Sequence, residues 1–142
     1  MNQTVVFTLL LAVFAASPQE KSATKKAPSQ TATTASFGKK TYLEYCAVCH
    51  GADGRGTGPA ASALKEAPAD LTILAKTHDG KFPDEYVAGI VRFGKPVAAH
   101  GSVDMPVWGP IFSRRENSDE AAVRRRIRNL CAYLATLQER ES

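Results

Sequence analysis

The sequence predicts an all-α domain, and three observations carry that expectation. Apolar residues recur at helical spacing in two segments, Val87, Ile90 and Val91 in one and Val123, Ile127, Leu130, Leu134 and Leu137 in the other. A third segment places Tyr42, Tyr45, Cys46 and Cys49 three and four positions apart, along one side of a helix. No alternation of strand and helix patterns of the βαβ kind appears.

The third segment ends in Cys46-Ala47-Val48-Cys49-His50. Cys-x-x-Cys-His is the attachment signature of c-type haem. Two thiols at this spacing on a helix reach the two vinyl groups of one porphyrin, and the adjacent imidazole faces the iron from the same side. The expected cofactor is therefore one covalent haem c, held by Cys46 and Cys49, with His50 as a ligand of the iron. A thioredoxin-like dithiol shares the Cys-x-x-Cys, but it follows a strand in a βαβ unit. Zinc needs further ligands, and Cys131, His78 and His100 lack the spacing of a zinc knuckle.

The ends of the chain read differently from its middle. Residues 1–17 contain an apolar run, Val5 to Ala16, too short for a comfortable membrane span and suited to a secretory signal peptide. No Lys or Arg precedes it and its cleavage site is blurred, so an uncleaved membrane anchor stays open as the second reading. Residues 18–36 are rich in Lys, Ala, Ser, Thr, Pro and Gln without apolar periodicity, and read as a disordered linker. Residues 37–142 form the expected domain. They hold 15 basic and 13 acidic residues, a net of +2 out of the chain's +4. Two haem propionates would bring the domain near neutrality, so nucleic acid is not an expected partner. With Cys46 and Cys49 as thioethers, Cys131 is left alone, and its place on the last helix marks it as a small buried hydrophobe.

Along the domain, the first helix is expected from Ser36, as N-cap, to Cys49. Gly51 to Pro59 carries four glycines in nine residues, a tight loop able to approach another group closely. Short helices are expected around Ala60 to Lys65 and Asp70 to Lys76. The next is capped by Asp84 and stopped by Gly94. Ser118 is the expected cap of the last helix, with Asp119 and Glu120 at its positive end. Arg124, Arg125, Arg126 and Arg128 read as a solvated face rather than a docking patch, with Glu120 and Arg124 paired at i,i+4.

What the protein does depends on the iron's other ligand. Beyond the initiator the chain has one methionine, Met105, in Asp104-Met105-Pro106-Val107-Trp108-Gly109. Pro and Gly place it on a loop outside any helical period, from which a thioether could cover the haem face opposite His50. His100 and His78 are the competing ligands, both expected in solvent.

Together these residues resemble a class I (monohaem) cytochrome c of bacterial type, over about Ser36 to Glu139. Gly38 and Tyr42 stand eight and four positions before the first haem cysteine, and Leu130-Cys131-Ala132-Tyr133-Leu134 resembles the family's last helix. The resemblance implies a small cytochrome c fold, helices wrapped around one haem. Its N- and C-terminal helices would cross where Gly38 and Tyr42 meet Leu130 and Tyr133. It also implies that the Pro59 carbonyl orients His50, and that Met105 is the second axial ligand. The family's usual propionate partners are not evident; Trp108 and Arg92 are the candidates. Leu71 would line the pocket as a packing residue.

The expected function is one-electron transfer in a respiratory or other periplasmic chain, not enzymatic catalysis. The partners would be a protein donor and acceptor in transient contact. The expected location is the periplasm or the outer face of the cytoplasmic membrane, with membrane association through residues 1–17 left open. Two alternatives stand beside the free carrier: the haem c subunit of a larger membrane oxidoreductase complex, and a peroxidase or gas-binding protein with a displaceable Met105. Binding of CO to the reduced protein separates the last from a carrier.

Overall fold

A computed structural model describes residues 30–94, 105–117 and 119–139. Among these residues the protein is helical, without strands: α1 (Gln30–Tyr45), α2 (Ala47–His50), α3 (Asp84–Phe93), α4 (Trp108–Arg115) and α5 (Glu120–Thr136), with one turn of 3-10 helix at Ala61–Ala63. The all-α expectation holds.

The fold is organised by α1 lying across α5. Gly38 is buried against α5, where a Cβ would stand 1.8 Å from the Asn129 carbonyl oxygen and 2.8 Å from the Tyr133 Cβ. Only a residue without a side chain lets the two backbones come this close. One turn on, the Tyr42 and Tyr133 rings meet at 5.3 Å between centroids, tilted by 52°. Leu130 joins the same core, and Asn129 is the residue that a Cβ on Gly38 would meet first. α3 packs on α5 through Val87 and Val91, and Phe112 of α4 completes the core with Val123, Ile127 and Leu134. Each such side chain, fully withdrawn from water, contributes roughly 1.5–3 kcal/mol before entropy is counted.

Several elements differ from expectation. α1 begins at Gln30 rather than at Ser36, so residues 30–36, assigned to the linker, are helical. Its continuation breaks at Cys46 (φ −111°) before α2, although the Cys46 N–H still bonds Tyr42 O at 2.8 Å and the His50 N–H bonds Cys46 O at 2.9 Å. Asp119 caps α5, its carboxylate accepting from the Ala121 and Ala122 N–H groups at 2.9 and 3.2 Å; Ser118, the expected cap, lies outside the described residues. Asp84 is the first residue of α3, behind Pro83, while Gly94 ends it as expected, its N–H on Ile90 O at 2.8 Å.

Residues 70–76 form turns instead of a helix. Asp70 draws the Thr72 N–H and hydroxyl onto one oxygen, at 2.8 and 2.6 Å, and this local bonding competes with helix formation. The segment is then tied to the end of α5. Gln138 accepts from the Ala75 N–H at 2.8 Å and donates to Leu71 O at 2.7 Å, and the Glu139 N–H reaches Thr72 O at 2.8 Å.

The arginine run of α5 is only partly a solvated face. Arg124, Arg125 and Arg128 are exposed, and Arg124 lies 3.9 Å from Glu120. Arg126 instead turns inward to Glu116 and Phe112. Cys131 is 3 % exposed, its Sγ 3.9 Å from Asp84 O, and burial pushes its thiol up to about 12. It is the small buried hydrophobe expected.

Candidate functional site

Cys46, Cys49 and His50 occupy the bend between α1 and α2, supported from both sides. On one side Tyr42 buries its ring in the core and donates its hydroxyl to Gly51 O at 2.5 Å, just past the motif. Burial holds the Tyr42 hydroxyl in its neutral, donating form, far above the ordinary phenol range. On the other side the Gly58 segment lies under α2. Its N–H bonds Cys49 O at 3.0 Å, and the Ala60 N–H bonds Val48 O at 2.9 Å. A Cβ on Gly58 would stand 2.5 and 2.6 Å from the Val48 and Ala47 carbonyl oxygens, so this seat admits glycine alone.

The structure places His50 differently from the resemblance. The expected acceptor for its ring was the Pro59 carbonyl. Here Nδ1 lies 3.0 Å from the Ala69 carbonyl, in the loop that follows. A carbonyl only accepts, so Nδ1 is the donor in this contact. A histidine that binds a metal commonly has its other ring nitrogen fixed in this way. The Ala69 loop is held in turn by the Leu71 N–H on Gly54 O at 2.7 Å and by the Asp70–Thr72 turn.

No disulfide joins Cys46 to Cys49. Burial, and then the neighbouring Cys49, push the Cys46 thiol up to about 12. A redox dithiol needs the opposite, a thiol pulled down toward neutrality. Among the described residues no group of three or more His, Cys, Asp or Glu side chains converges, as a structural zinc site requires. The raised Cys46 thiol does not suit the thioredoxin reading.

A haem does fit the donor set and its surroundings. Leu71, Leu74, Phe82, Met105 and Trp108 are half-buried hydrophobics packed against the core, as are Tyr45 and Cys46. Met105 thus joins the same apolar cluster as Cys46, from a segment far away in sequence. Trp108, expected as part of a loop, is the first residue of α4. It packs edge-on against Tyr45 at 5.3 Å and stacks on Phe112 at 5.7 Å. Arg92, the other propionate candidate, donates to the Glu120 carboxylate at 2.5 Å. His78 is half-buried rather than solvated, with Nδ1 2.8 Å from Leu74 O and its ring against Tyr86. His100 lies outside the described residues. Two contributors had gone unforeseen, Ala69 and Gly51. Both act through backbone carbonyls, which carry no side-chain signature.

A helical domain whose crossed end helices present Cys-x-x-Cys-His to an apolar wall, with that histidine held through Nδ1 by a backbone carbonyl, has the arrangement of a c-type cytochrome domain. The chain belongs to the family described as cytochrome c oxidase, cbb3-type, subunit III, which matches residues 33–123, more than half of its 142 residues. No curated protein and no solved structure matches the chain. Membership makes the cofactor haem c, covalently attached at the Cys46 and Cys49 spacing, and makes the domain an electron carrier rather than a catalyst in itself. No helix of the described residues is long and apolar enough to cross a membrane.

Proposed function

We propose that this protein carries single electrons through a haem c ligated by His50 and Met105. The observation that carries the reading is the His50 ring held through Nδ1 on Ala69 O, beside the two motif cysteines. Bound haem supplies a one-electron iron couple whose potential is set by axial ligands and burial. The protein's part is to hold the ligands still. Ala69 fixes the plane of the His50 ring and raises its basicity. Met105 offers a soft thioether that favours ferrous iron. Tyr42, Val87, Leu130 and Tyr133 are buried in the core that Met105 packs against, and keep water from the apolar side. Trp108, through its indole N–H, remains a partner for a propionate; Arg92 would first have to leave Glu120.

The family description favours a role beside a terminal oxidase, as the haem c subunit of a membrane complex or as its soluble donor. In either case the domain works outside the cytoplasm, in the periplasm or at the outer membrane face, and the leader or anchor in residues 1–17 takes it there. A transient, small contact with donor and acceptor suits a carrier.

Ligand substitution tests the proposal. Met105→Ala opens one side of the iron, so the reduced variant binds CO and the native protein binds it poorly. A variant that keeps the native low-spin spectrum and refuses CO removes Met105 from the ligand set. The intact mass of the mature protein reports haem attachment and leader cleavage together.

A further inference from the structure

Met105 is separated from α4 by only Pro106 and Val107, so whatever fixes α4 fixes the downstream end of its loop. α4 is fixed at both ends. Near its start, Gly109 sits against the end of α3, where a Cβ would lie 2.3 Å from Arg92 O. Its first residue and its middle are held by Tyr45 of α1, whose ring meets Trp108 and Phe112 at 5.3 Å each.

At its end, Glu116 closes the last turn, N–H on Phe112 O at 2.9 Å, and its carboxylate faces Arg126 of α5. One carboxylate oxygen accepts from Arg126 Nε at 2.8 Å and from a terminal nitrogen of the same guanidinium. That guanidinium also lies 5.4 Å over the Phe112 ring and 3.5 Å from the Thr41 hydroxyl of α1. Its side chain and that of Glu116 are 27 % and 22 % exposed, against 53 % and 43 % for the surface pair Arg55–Glu139. A sheltered, charge-assisted contact of this kind holds geometry in a way that exposed pairs do not. Arg126, Phe112, Trp108 and the Met105 segment therefore form an unbroken series of packed groups.

We propose that Arg126 is a positioning residue for Met105: it joins the end of α4 to α1 and α5, and α4 sets where the Met105 thioether stands. The inference rests on Met105 as an iron ligand. Removing Arg126 leaves the Glu116 carboxylate half-buried without its cation and uncovers Phe112, so α4 loses one of its two ends. The thioether then yields more readily to a competing ligand.

The test is an imidazole titration of the ferric holoprotein, followed by the visible spectrum, with stability measured in parallel by denaturant unfolding. Arg126→Gln is expected to tighten imidazole binding about tenfold, within the range found for mutations along packed networks. Arg126→Lys, which keeps a charge but not the planar fork, is expected to recover part of that change. Arg125→Gln, on the exposed face, is expected to match the native protein. Leu134→Ala, a core truncation eight residues along α5 from Arg126, controls for stability loss alone. Native imidazole affinity in Arg126→Gln overturns the proposal, as does an equal tightening in Leu134→Ala. Met105→Ala is run alongside. No change there removes the ligand reading itself, whereas a large change there with none in Arg126→Gln removes only the positioning role.

Discussion

Gly38 lies so close to Asn129 that the space for a Cβ is already occupied by the Asn129 carbonyl oxygen, 1.8 Å away. The contact joins the helix that leads into the haem motif to the last helix. It places Tyr42 on Tyr133, and through the Tyr42 hydroxyl it reaches Gly51, directly after His50. The core and the motif are thus held by one crossing.

Gly38→Ala forces α1 and α5 apart, because the atom it meets is backbone and cannot swing aside. The expected loss is about 3 kcal/mol, the upper end of overpacking costs. Urea unfolding of the holoprotein checks it; a loss under about 0.5 kcal/mol, the range of neutral surface changes, would mean the helices do not pack this tightly.

Tyr42→Phe keeps the ring packed on Tyr133 and removes only the hydroxyl. Gly51 O, buried beside the motif, then loses its donor, at a cost of about 1–3 kcal/mol. The measurement is the unfolding free energy of the variant, with haem content by mass confirming that attachment is intact. An unchanged free energy would show that water replaces the hydroxyl.

Asp70 gives the site an acid-sensitive contact. Its hydrogen bonds from the Thr72 hydroxyl and N–H, with Arg55 nearby, hold its pKa below the ordinary 3.8 against the opposing effect of burial. A depressed carboxylate stabilises the fold fully above its unfolded pKa and loses that contribution as pH falls through the lower folded value. Asp70→Asn should therefore be less stable than the native protein at neutral pH, and the gap should close below about pH 4. Unfolding curves at several pH values read this directly, and a gap independent of pH refutes it.

Cys131 should resist alkylation in the native protein and react fully once unfolded, because burial keeps it protonated and enclosed. Labelling with and without denaturant, followed by mass, decides it. Rapid native labelling, or a disulfide-linked dimer on non-reducing electrophoresis, contradicts the buried position.

How much of this was legible beforehand differed by element. α3 and α5 announced themselves by apolar stripes, and Cys46 to His50 by spacing. α4 did not, because Gly109 and Pro110 read as loop formers. Both fall in its first turn, where a proline lacks no needed donor, so the helix accommodates them. The start of α1 was hidden by Thr, Ala and Ser, whose pattern shows no apolar face. The turns at 70–76 were missed because Asp70 takes up its neighbours' donors locally.

The site divides in the same way. Haem attachment, a lone candidate methionine and a buried Cys131 could be read from residue types. The acceptor for His50 could not, since Ala69 contributes only its carbonyl. Nor could Arg126 be told from Arg124, Arg125 and Arg128, which are the same residue type on the same helix.

By itself the sequence determined what is local: covalent chemistry at fixed spacing, and helices with a periodic face. These depend on residues within a few turns of one another. Tertiary structure alone decided which carbonyl holds His50, that Met105 joins the apolar cluster of Cys46, and which arginine of four turns inward to α4. Each of these is a meeting of groups distant along the chain, and two of them are made by backbone or by identical side chains. Only the packing of α1, α4 and α5 against each other distinguishes them.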